Sequence, residues 1–281
     1  MASSKTSHVK QAPSKLPKNQ WWRAAIKVLL LMIWVAAAVI VSQLIVGYLM
    51  LWILGRDNFI QTVPTAIYSA LSYILALVWL VFATPKIVVK LKITNERKGG
   101  EHHINGRLAP RPVSRTDLGL RGAPTWTDIG LAPIGFIAST ILAAMLVALF
   151  SIFPWFNAEQ AQDVGFGQYL VGADRIIAFI VLVVVAPIAE ELIFRGWLYG
   201  KMRAILNTSL ADVWSMIISI FLVSLLFGII HMQWNVGVNV FAMSVVLCAL
   251  REITGTIYAG ILTHMVKNGV AFFLLYVVGI V

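Results

Sequence analysis

Charged residues are scarce in this sequence. Asp, Glu, Lys and Arg together make up 12% of its 281 residues, whereas 59% are hydrophobic and the mean hydropathy is +0.85. A soluble domain carries about twice that charged fraction, so the composition excludes an ordinary soluble protein and indicates a polytopic membrane protein. The expected fold class is all-α, a single transmembrane helix bundle of about seven to eight spans.

Cysteine is nearly missing, and acidic residues are outnumbered by basic ones. The one cysteine, Cys248, excludes an intramolecular disulfide and lies in an apolar segment, where a small buried residue is expected. The net charge is +10, but the basic residues lie between apolar runs rather than on one face, so no nucleic-acid partner is expected. Residues 1–23 contain no acid and two prolines, which predicts a disordered basic cytoplasmic tail.

Long apolar runs follow this tail and predict a single transmembrane domain over residues 24–281. The first run, Val28–Gly55, is far longer than the apolar region of a signal peptide, which favours a retained span. The first two spans are expected to pack or face lipid without chemistry, and an eighth short or re-entrant helix is an alternative to the count of seven. The seven predicted spans cover approximately residues 28–55, 64–84, 130–153, 175–196, 213–230, 236–250 and 257–281.

The polar connections differ in charge and predict the membrane orientation. Residues 86–130 contain nine basic and four acidic residues, whereas 154–174 contain three acidic and no basic ones. Cytoplasmic segments are enriched in Lys and Arg. We therefore expect 1–23, 86–130 and 197–212 to be cytoplasmic and 154–174 to be external, in a bacterial-type plasma membrane.

The stretch Ala189–Gly196 places three ionisable groups at the end of an uncharged run of fourteen residues. Such groups are costly in hydrocarbon unless they pair or face a cavity. Glu191 and Arg195 are four residues apart and can pair along one helix face. Glu190 lies about 100° round the helix from Glu191, so one glutamate is expected to be structural and the other free for chemistry.

Pro187 precedes the glutamates by three residues and predicts a local kink. In an α-helix it removes one backbone hydrogen bond and frees the carbonyl of Val183, which favours a polar cavity beside the helix. The segment Trp197–Asn207 that follows contains Lys201 and Arg203. It is predicted to be an amphipathic cytoplasmic extension.

Other polar residues in apolar surroundings are His231, His264 and Asn268. His264 and Asn268 are four residues apart and project to one side of span seven. If spans four and five turn near Leu210, Glu190 lies 20 residues before the turn and His231 lies 21 after it. Equal rise per residue places both at nearly the same depth, where a carboxylate and an imidazole can hold and deprotonate a water.

Three motifs, taken in order, are Glu190-Glu191-x-x-x-Arg195, Phe227-x-x-x-His231 and His264-x-x-x-Asn268. Together they resemble those of the CAAX-protease and bacteriocin-processing family, also called Abi or type II CAAX prenyl endopeptidases, whose members are intramembrane proteases. The resemblance covers about residues 115–275, which would form the protease core. The run Arg251–Gly255 before span seven is also similar to the family's usual lead-in.

The resemblance implies a role for each motif residue. Glu190 would be the general base, and His231 would help it to activate the water, with Phe227 packed beneath the imidazole. His264 and Asn268 would stabilise the oxyanion. The remaining two motif residues, Glu191 and Arg195, would form a supporting ion pair.

Lys267 departs from the family's pattern, which more often has a neutral residue beside the motif asparagine. Its side chain is expected to snorkel to an interface. The alternative is that it biases the site toward anionic substrate groups.

A zinc ion bound by Glu190, His231 and His264 is the alternative to a glutamate-activated water. The chain lacks a His-Glu-x-x-His motif, and Asn268 suits hydrogen bonding better than ligation, so a metal-independent reaction is expected.

His102 and His103 are adjacent in the sequence, whereas metal ligands on a helix are three or four residues apart. No Cys or further His lies nearby, so both are expected to be solvated loop residues.

The expected function is endoproteolysis of a membrane-embedded or amphipathic peptide, with membrane lipid as the other partner. Nothing in the sequence identifies this peptide or indicates that it is prenylated. Two other classes stay open: a non-catalytic membrane immunity or binding protein, and a proton-coupled transporter. The transporter is disfavoured because no inverted repeat of Gly- or Pro-broken spans is visible.

The charge asymmetry makes a prediction that cysteine labelling can check. In a Cys248→Ser background, a single cysteine at position 100 should be protected from a membrane-impermeant thiol reagent added outside intact cells. A single cysteine at position 165 should react under the same conditions. Reaction at position 100 from the outside would contradict the orientation.

Overall fold

A computed structural model describes residues 21–59, 61–85, 103–104, 107–108, 113–158 and 170–279. This part of the chain forms an all-α bundle with seven helices long and apolar enough to cross a membrane, as expected of an integral membrane protein. Residues 1–20 of the predicted tail lie outside the described residues. The prediction of a disordered tail was wrong for Trp21–Arg23, which form the first turn of span one.

The spans agree in number and order with the prediction, although several begin or end elsewhere. They are Trp21–Leu54, Thr62–Ala83, Trp126–Phe150, Gly172–Leu206, Asp212–Ile230, Asn235–Thr254 and Tyr258–Val278. A short helix, Arg56–Phe59, follows span one. Two-residue strands, His103–Ile104 and Arg107–Leu108, pair antiparallel between spans two and three. His102 lies outside the described residues.

Span four continues for nearly three turns beyond the predicted boundary. The segment Trp197–Asn207 is helical to Leu206, and Trp197 and Met202 are buried in the core. Its apolar side chains pack in the main core cluster with residues of spans one, five and six, whereas Lys201 is exposed, so the segment is amphipathic as predicted. Its cytoplasmic position stays a prediction. Its cation Arg203 is held by an ion pair from Nε to Glu252 in span six, at 2.7 Å.

Several helices contain π segments, in which backbone hydrogen bonds run from residue i to i−5. Two of these lie in span four, at Ile180–Val185 and Glu191–Leu198, and they flank one α-helical turn, Ala186–Glu190. Short π segments inside helices often occur at functional sites. Glu190 and Glu191 thus stand at the junction between an α-helical turn and a π segment.

Spans five and six approach each other closely beside His231. A Cβ atom at Gly228 would lie 2.8 Å from the carbonyl oxygen of Gly237, a distance that only glycine permits. Met232 adopts a left-handed conformation with φ of 55°, which is uncommon for a residue with a side chain. This tight turn leads directly into span six and fixes His231 at the tip of a two-helix hairpin.

Candidate active site

A cavity of about 550 Å³ lies within the bundle, and the residues predicted to be catalytic line it. Glu190 comes from span four, His231 from the end of span five, and His264 and Asn268 from span seven. Spans one and two also form part of its wall, through residues such as Gln43 and Tyr73. Spans one and two, which were expected to pack or face lipid without chemistry, therefore take part in the site.

Glu191 and Arg195 form the ion pair expected from their spacing. Arg195 Nη1 donates to Glu191 Oε1 at 2.7 Å, and both side chains have an exposed fraction of 0%. The guanidinium carbon of Arg195 lies over the Phe227 ring, 4.4 Å from its centroid. A Cβ atom at Gly260 would lie 3.1 Å from Glu191 Oε2, so span seven packs directly against this carboxylate.

Glu190 differs from Glu191 in its surroundings. Its side chain is 13% exposed and lines the cavity. One oxygen, Oε1, accepts a short hydrogen bond from the Tyr73 hydroxyl. The other, Oε2, faces His264 Nε2 at 3.7 Å, which is too long for a hydrogen bond. Glu190 is therefore the carboxylate with an oxygen turned to the cavity, whereas Glu191 is held by Arg195.

Tyr73 is a site residue that the sequence reasoning missed, because span two was expected to have no chemistry. A signal was nevertheless present. Polar residues recur along span two with the i, i+3, i+4, i+7, i+8 spacing of one helix face. They are Thr65, Tyr68, Ser69, Ser72 and Tyr73. In an otherwise apolar span, such a stripe indicates a face turned toward a polar interior.

His231 is oriented by the backbone of its own helix. Its Nδ1 lies 2.7 Å from the carbonyl oxygen of Phe227, so Nδ1 carries the hydrogen and donates it. Phe227 also packs edge-on against the imidazole, with ring centroids 4.9 Å apart, as the four-residue spacing predicted. In the neutral ring Nε2 is then the free acceptor. Burial lowers the pKa of His231, which follows the last residue of span five, although the Glu190 carboxylate opposes this effect.

His264 lies between the two glutamates. Its Nδ1 is 3.1 Å from Glu191 Oε1, and its Nε2 is on the side of Glu190. Because Glu191 Oε1 also accepts from Arg195, this one oxygen fixes both a cation and the imidazole. The position of the His264 ring is thereby tied to the buried ion pair.

Asn268 is hydrogen-bonded to a backbone carbonyl that has no N–H partner in its own helix. Its Nδ2 donates to the carbonyl oxygen of Leu182 at 2.9 Å. We expected Pro187 to free the carbonyl of Val183, which is the acceptor in an α-helical register. The helix before Pro187 has a π register instead, with Ala186 N–H bonded to Val181. The next carbonyl in that register is Leu182, which Pro187 cannot serve because it has no N–H.

Lys267 does not reach an interface. It is half-buried, lines the cavity, and lies near the middle of a span that covers Tyr258–Val278. About 14–17 Å of helix separates it from either end of the span, which a four-carbon stem does not bridge. The expectation that Lys267 snorkels was therefore wrong.

The zinc alternative names Glu190, His231 and His264 as ligands. Among the described residues, no group of three or more His, Cys, Asp or Glu side chains is placed to hold a metal ion. Tyr73, Phe227 and Glu191 each engage only one atom of the three side chains, and a histidine held at Nδ1 can still bind a metal through Nε2. The metal-independent reaction therefore stays a prediction.

Residues 172–270 match the Rce1-like family model, whose description is type II CAAX prenyl endopeptidase Rce1-like. This part of the chain is thus similar to the CAAX-protease family, and the resemblance found in the three motifs is confirmed. The match begins with span four, so span three lies outside it although the resemblance was expected to start near residue 115. Comparisons with curated proteins and with solved structures gave no significant match.

The two glutamates should differ in their effects on stability. Glu191→Gln should lower the free energy of unfolding by roughly 3–5 kcal/mol, because it leaves Arg195 as an unpaired charge in a buried site. Glu190→Gln should change it far less, because Glu190 is partly exposed and forms no such pair. Thermal unfolding of both variants in the same detergent measures the difference.

A double variant controls for the loss of charge. Adding Arg195→Met to Glu191→Gln removes the uncompensated cation and should restore much of the stability, since apolar replacements of buried pairs are often tolerated. Equal losses for Glu190→Gln and Glu191→Gln would show that the two glutamates are not divided in this way.

Proposed function

We propose that the protein is an intramembrane endopeptidase that hydrolyses a peptide bond in a membrane-embedded or amphipathic peptide. The family match supports a CAAX-protease type of hydrolase. The observation that carries the proposal is the contrast between the two glutamates. Glu191 forms an ion pair with Arg195, whereas Glu190 has one carboxylate oxygen facing the cavity that His231 also lines.

In the proposed reaction, Glu190 is the general base. A water held between Glu190 Oε2 and His231 Nε2 loses a proton to the carboxylate as its oxygen attacks the peptide carbonyl. Tyr73 donates a hydrogen bond to the other oxygen, Oε1, so Oε2 is the oxygen that accepts the proton of the water. The proton on Glu190 then passes to the amine as the C–N bond breaks, which regenerates the carboxylate.

His264 and Asn268 are proposed to stabilise the oxyanion. Asn268 uses one Nδ2 hydrogen for Leu182 and has a second one to donate. His264 can donate from Nε2 when both ring nitrogens carry hydrogen, and Glu191 at Nδ1 compensates the charge that this creates. Donors held in advance at the developing negative charge are among the strongest contributions to catalysis.

Two adjoining cavities support a membrane-embedded substrate. Span one and the start of span two border a second, more superficial groove, and Gln43 and Tyr68 line both this groove and the site cavity. The groove contains apolar side chains such as Leu44 and Trp52, which are 66% and 79% exposed. An apolar segment of a substrate can therefore lie against spans one and two while its polar part enters the cavity.

The proposed function is tested by comparing membrane peptides from cells that carry the native protein with those from cells that carry Glu190→Gln. Mass spectrometry should find membrane-associated peptides that are cleaved only with the native protein, while both proteins are present in equal amounts. Identical peptide patterns would favour the non-catalytic immunity or binding protein. Cleavage that persists in Glu190→Gln would show that Glu190 is not the base.

A separate prediction decides between a glutamate-activated water and zinc. Asn268→Ala should lower kcat by about 10²–10³ with little change in KM, because it removes a donor that acts in the transition state. Chelators should leave activity unchanged, and elemental analysis of the active protein should find no stoichiometric zinc. Close to one zinc per chain, lost in His231→Ala together with thermal stability, would overturn the metal-independent mechanism.

A further inference from the structure

A short segment that precedes span three lies against spans four, six and seven. It comprises residues 117–122, here called the clasp, and it lies outside the part of the chain that matches the family model. Leu120 N–H donates to the carbonyl oxygen of Arg115 at 2.9 Å, which closes a turn. Gly119, at the centre of the clasp, is buried and has a φ of 76°, a left-handed conformation that favours glycine. The clasp is thus a hydrogen-bonded and partly buried element of the fold.

On span four, the clasp contacts the π segment that carries the buried ion pair. Gly196 directly follows Arg195, and a Cβ atom there would lie 2.8 Å from the carbonyl oxygen of Leu118. The three atoms nearest to that position all belong to the Leu118 backbone, which cannot swing away as the end of a side chain could. About one turn further on, a Cβ atom at Gly200 would lie 3.4 Å from the carbonyl oxygen of Asp117, an ordinary contact. Glycine at position 196 therefore lets the clasp lie on span four.

On its other side, the clasp is hydrogen-bonded to the start of span seven. Ile257, the residue before the helix, donates its N–H to the carbonyl oxygen of Gly119 at 3.2 Å. The Tyr258 hydroxyl donates to the carbonyl oxygen of Gly122 at 2.8 Å. Gly260, which packs on the buried carboxylate, lies in the same first turn of the helix. The clasp thus fixes the end of span seven that approaches the ion pair.

Arg251 joins span six to the same contact. A Cβ atom at Gly119 would lie 2.5 Å from the guanidinium carbon of Arg251, so this side chain lies against the clasp. Its Nη1 donates to the carbonyl oxygen of Gly255, the left-handed residue at which span six ends. The run Arg251–Gly255, for which the proposed reaction gives no role, therefore connects the clasp to the turn between spans six and seven.

The clasp bridges the two helices whose separation the site requires. Glu191 Oε1 in span four and His264 Nδ1 in span seven are 3.1 Å apart. The clasp touches span four at Gly196, five residues after this glutamate, and span seven at Ile257, seven residues before this histidine. At about 1.5 Å per residue, both contacts lie within about two helical turns of the hydrogen bond. A displacement of the clasp would therefore change the distance between the two side chains.

We infer that the clasp sets the distance between Glu191 and His264, and that Leu118 and Gly119 are thereby positioning residues of the site. The consequence for catalysis rests on the proposed function, in which His264 stabilises the oxyanion. A misplacement of about 1 Å can cost about 100-fold in rate. Because the clasp acts on the geometry of the reaction and touches no substrate, its loss is expected to lower kcat and to leave KM nearly unchanged.

The imidazole protons of the two site histidines report this geometry without turnover. Full-length protein with isotopically labelled histidine is studied by NMR in lipid nanodiscs, and the two resonances are assigned with His264→Gln and His231→Gln. The His264 Nδ1 hydrogen, bonded to Glu191, should resonate downfield and move upfield as that bond lengthens. The His231 Nδ1 hydrogen is bonded to Phe227 within span five, so its resonance is an internal reference.

Gly196→Ala should move the His264 resonance upfield and leave that of His231 in place, because the new methyl group meets the Leu118 backbone and displaces the clasp. The matched control is Gly200→Ala, the same substitution on the same helix at an ordinary distance from the clasp. It should leave both resonances unchanged.

Tyr258→Phe tests the clasp from span seven and decides the outcome if Gly196→Ala does not fold. It removes the hydrogen bond to Gly122 and should move the His264 resonance in the same direction, by less. An unchanged His264 resonance in the folded variants would overturn the inference. Equal movement of the His264 and His231 resonances would overturn it as well, because it would indicate a general loosening of the bundle.

Cleavage separates this inference from the proposed function. With a peptide that the native protein cleaves, Gly196→Ala should lower kcat by about 10- to 100-fold and change KM by less than about twofold, whereas Gly200→Ala should match the native protein. If the native protein cleaves no peptide and the His264 resonance still moves as expected, the clasp stands and the protease does not. An unchanged kcat in a Gly196→Ala protein whose His264 resonance has moved would overturn the positioning role.

Discussion

The buried ion pair between Glu191 and Arg195 is the interaction on which the rest of the site depends. Two charges without solvent exposure are stable in a bundle of apolar helices only when they neutralise each other. Their contacts extend to two other spans: Phe227 of span five contacts the guanidinium, Gly260 lets span seven reach the carboxylate, and Glu191 Oε1 holds His264 of the same span. A single pair thereby sets the relative positions of three helices.

The backbone of span four changes register between the two adjacent glutamates. Glu190 ends an α-helical turn and Glu191 begins a π segment, so the second carboxylate turns into the bundle and the first toward the cavity. The same irregular backbone leaves the Leu182 carbonyl for Asn268. Pro187 and the π segments therefore do more than kink the helix, because they supply an acceptor that positions a polar side chain of span seven.

Much of this arrangement could be predicted from the sequence, because it depends on spacing along single helices. Seven spans, the pairing of Glu191 with Arg195 and the contact of Phe227 with His231 all follow from hydropathy or from i, i+4 geometry. Contacts between distant helices could not be predicted in this way. The hydrogen bond from Tyr73 to Glu190 joins residues 117 positions apart, and only the polar stripe of span two hinted at it.

The backbone register of span four and the burial of its last turns could not be predicted from the sequence either. An α-helical register points to Val183 as the freed carbonyl, whereas the π segment shifts the acceptor to Leu182. Lys201 and Arg203 indicated an amphipathic helix after Gly196, but they did not show how deeply its apolar face is buried in the core. Arg203 forms an ion pair with Glu252 of another helix, a contact that the charges along the sequence do not predict.

Chemical rescue tests the central claim, that a carboxylate at position 190 takes the proton from water, most directly. Glu190→Ala removes the carboxylate and leaves space for a small one, so added formate can act in its place. With a peptide that the native protein cleaves, the account predicts that formate restores turnover of Glu190→Ala in proportion to its concentration, while His231→Ala is not rescued. A folded Glu190→Ala that cleaves at the native rate without formate would contradict the account.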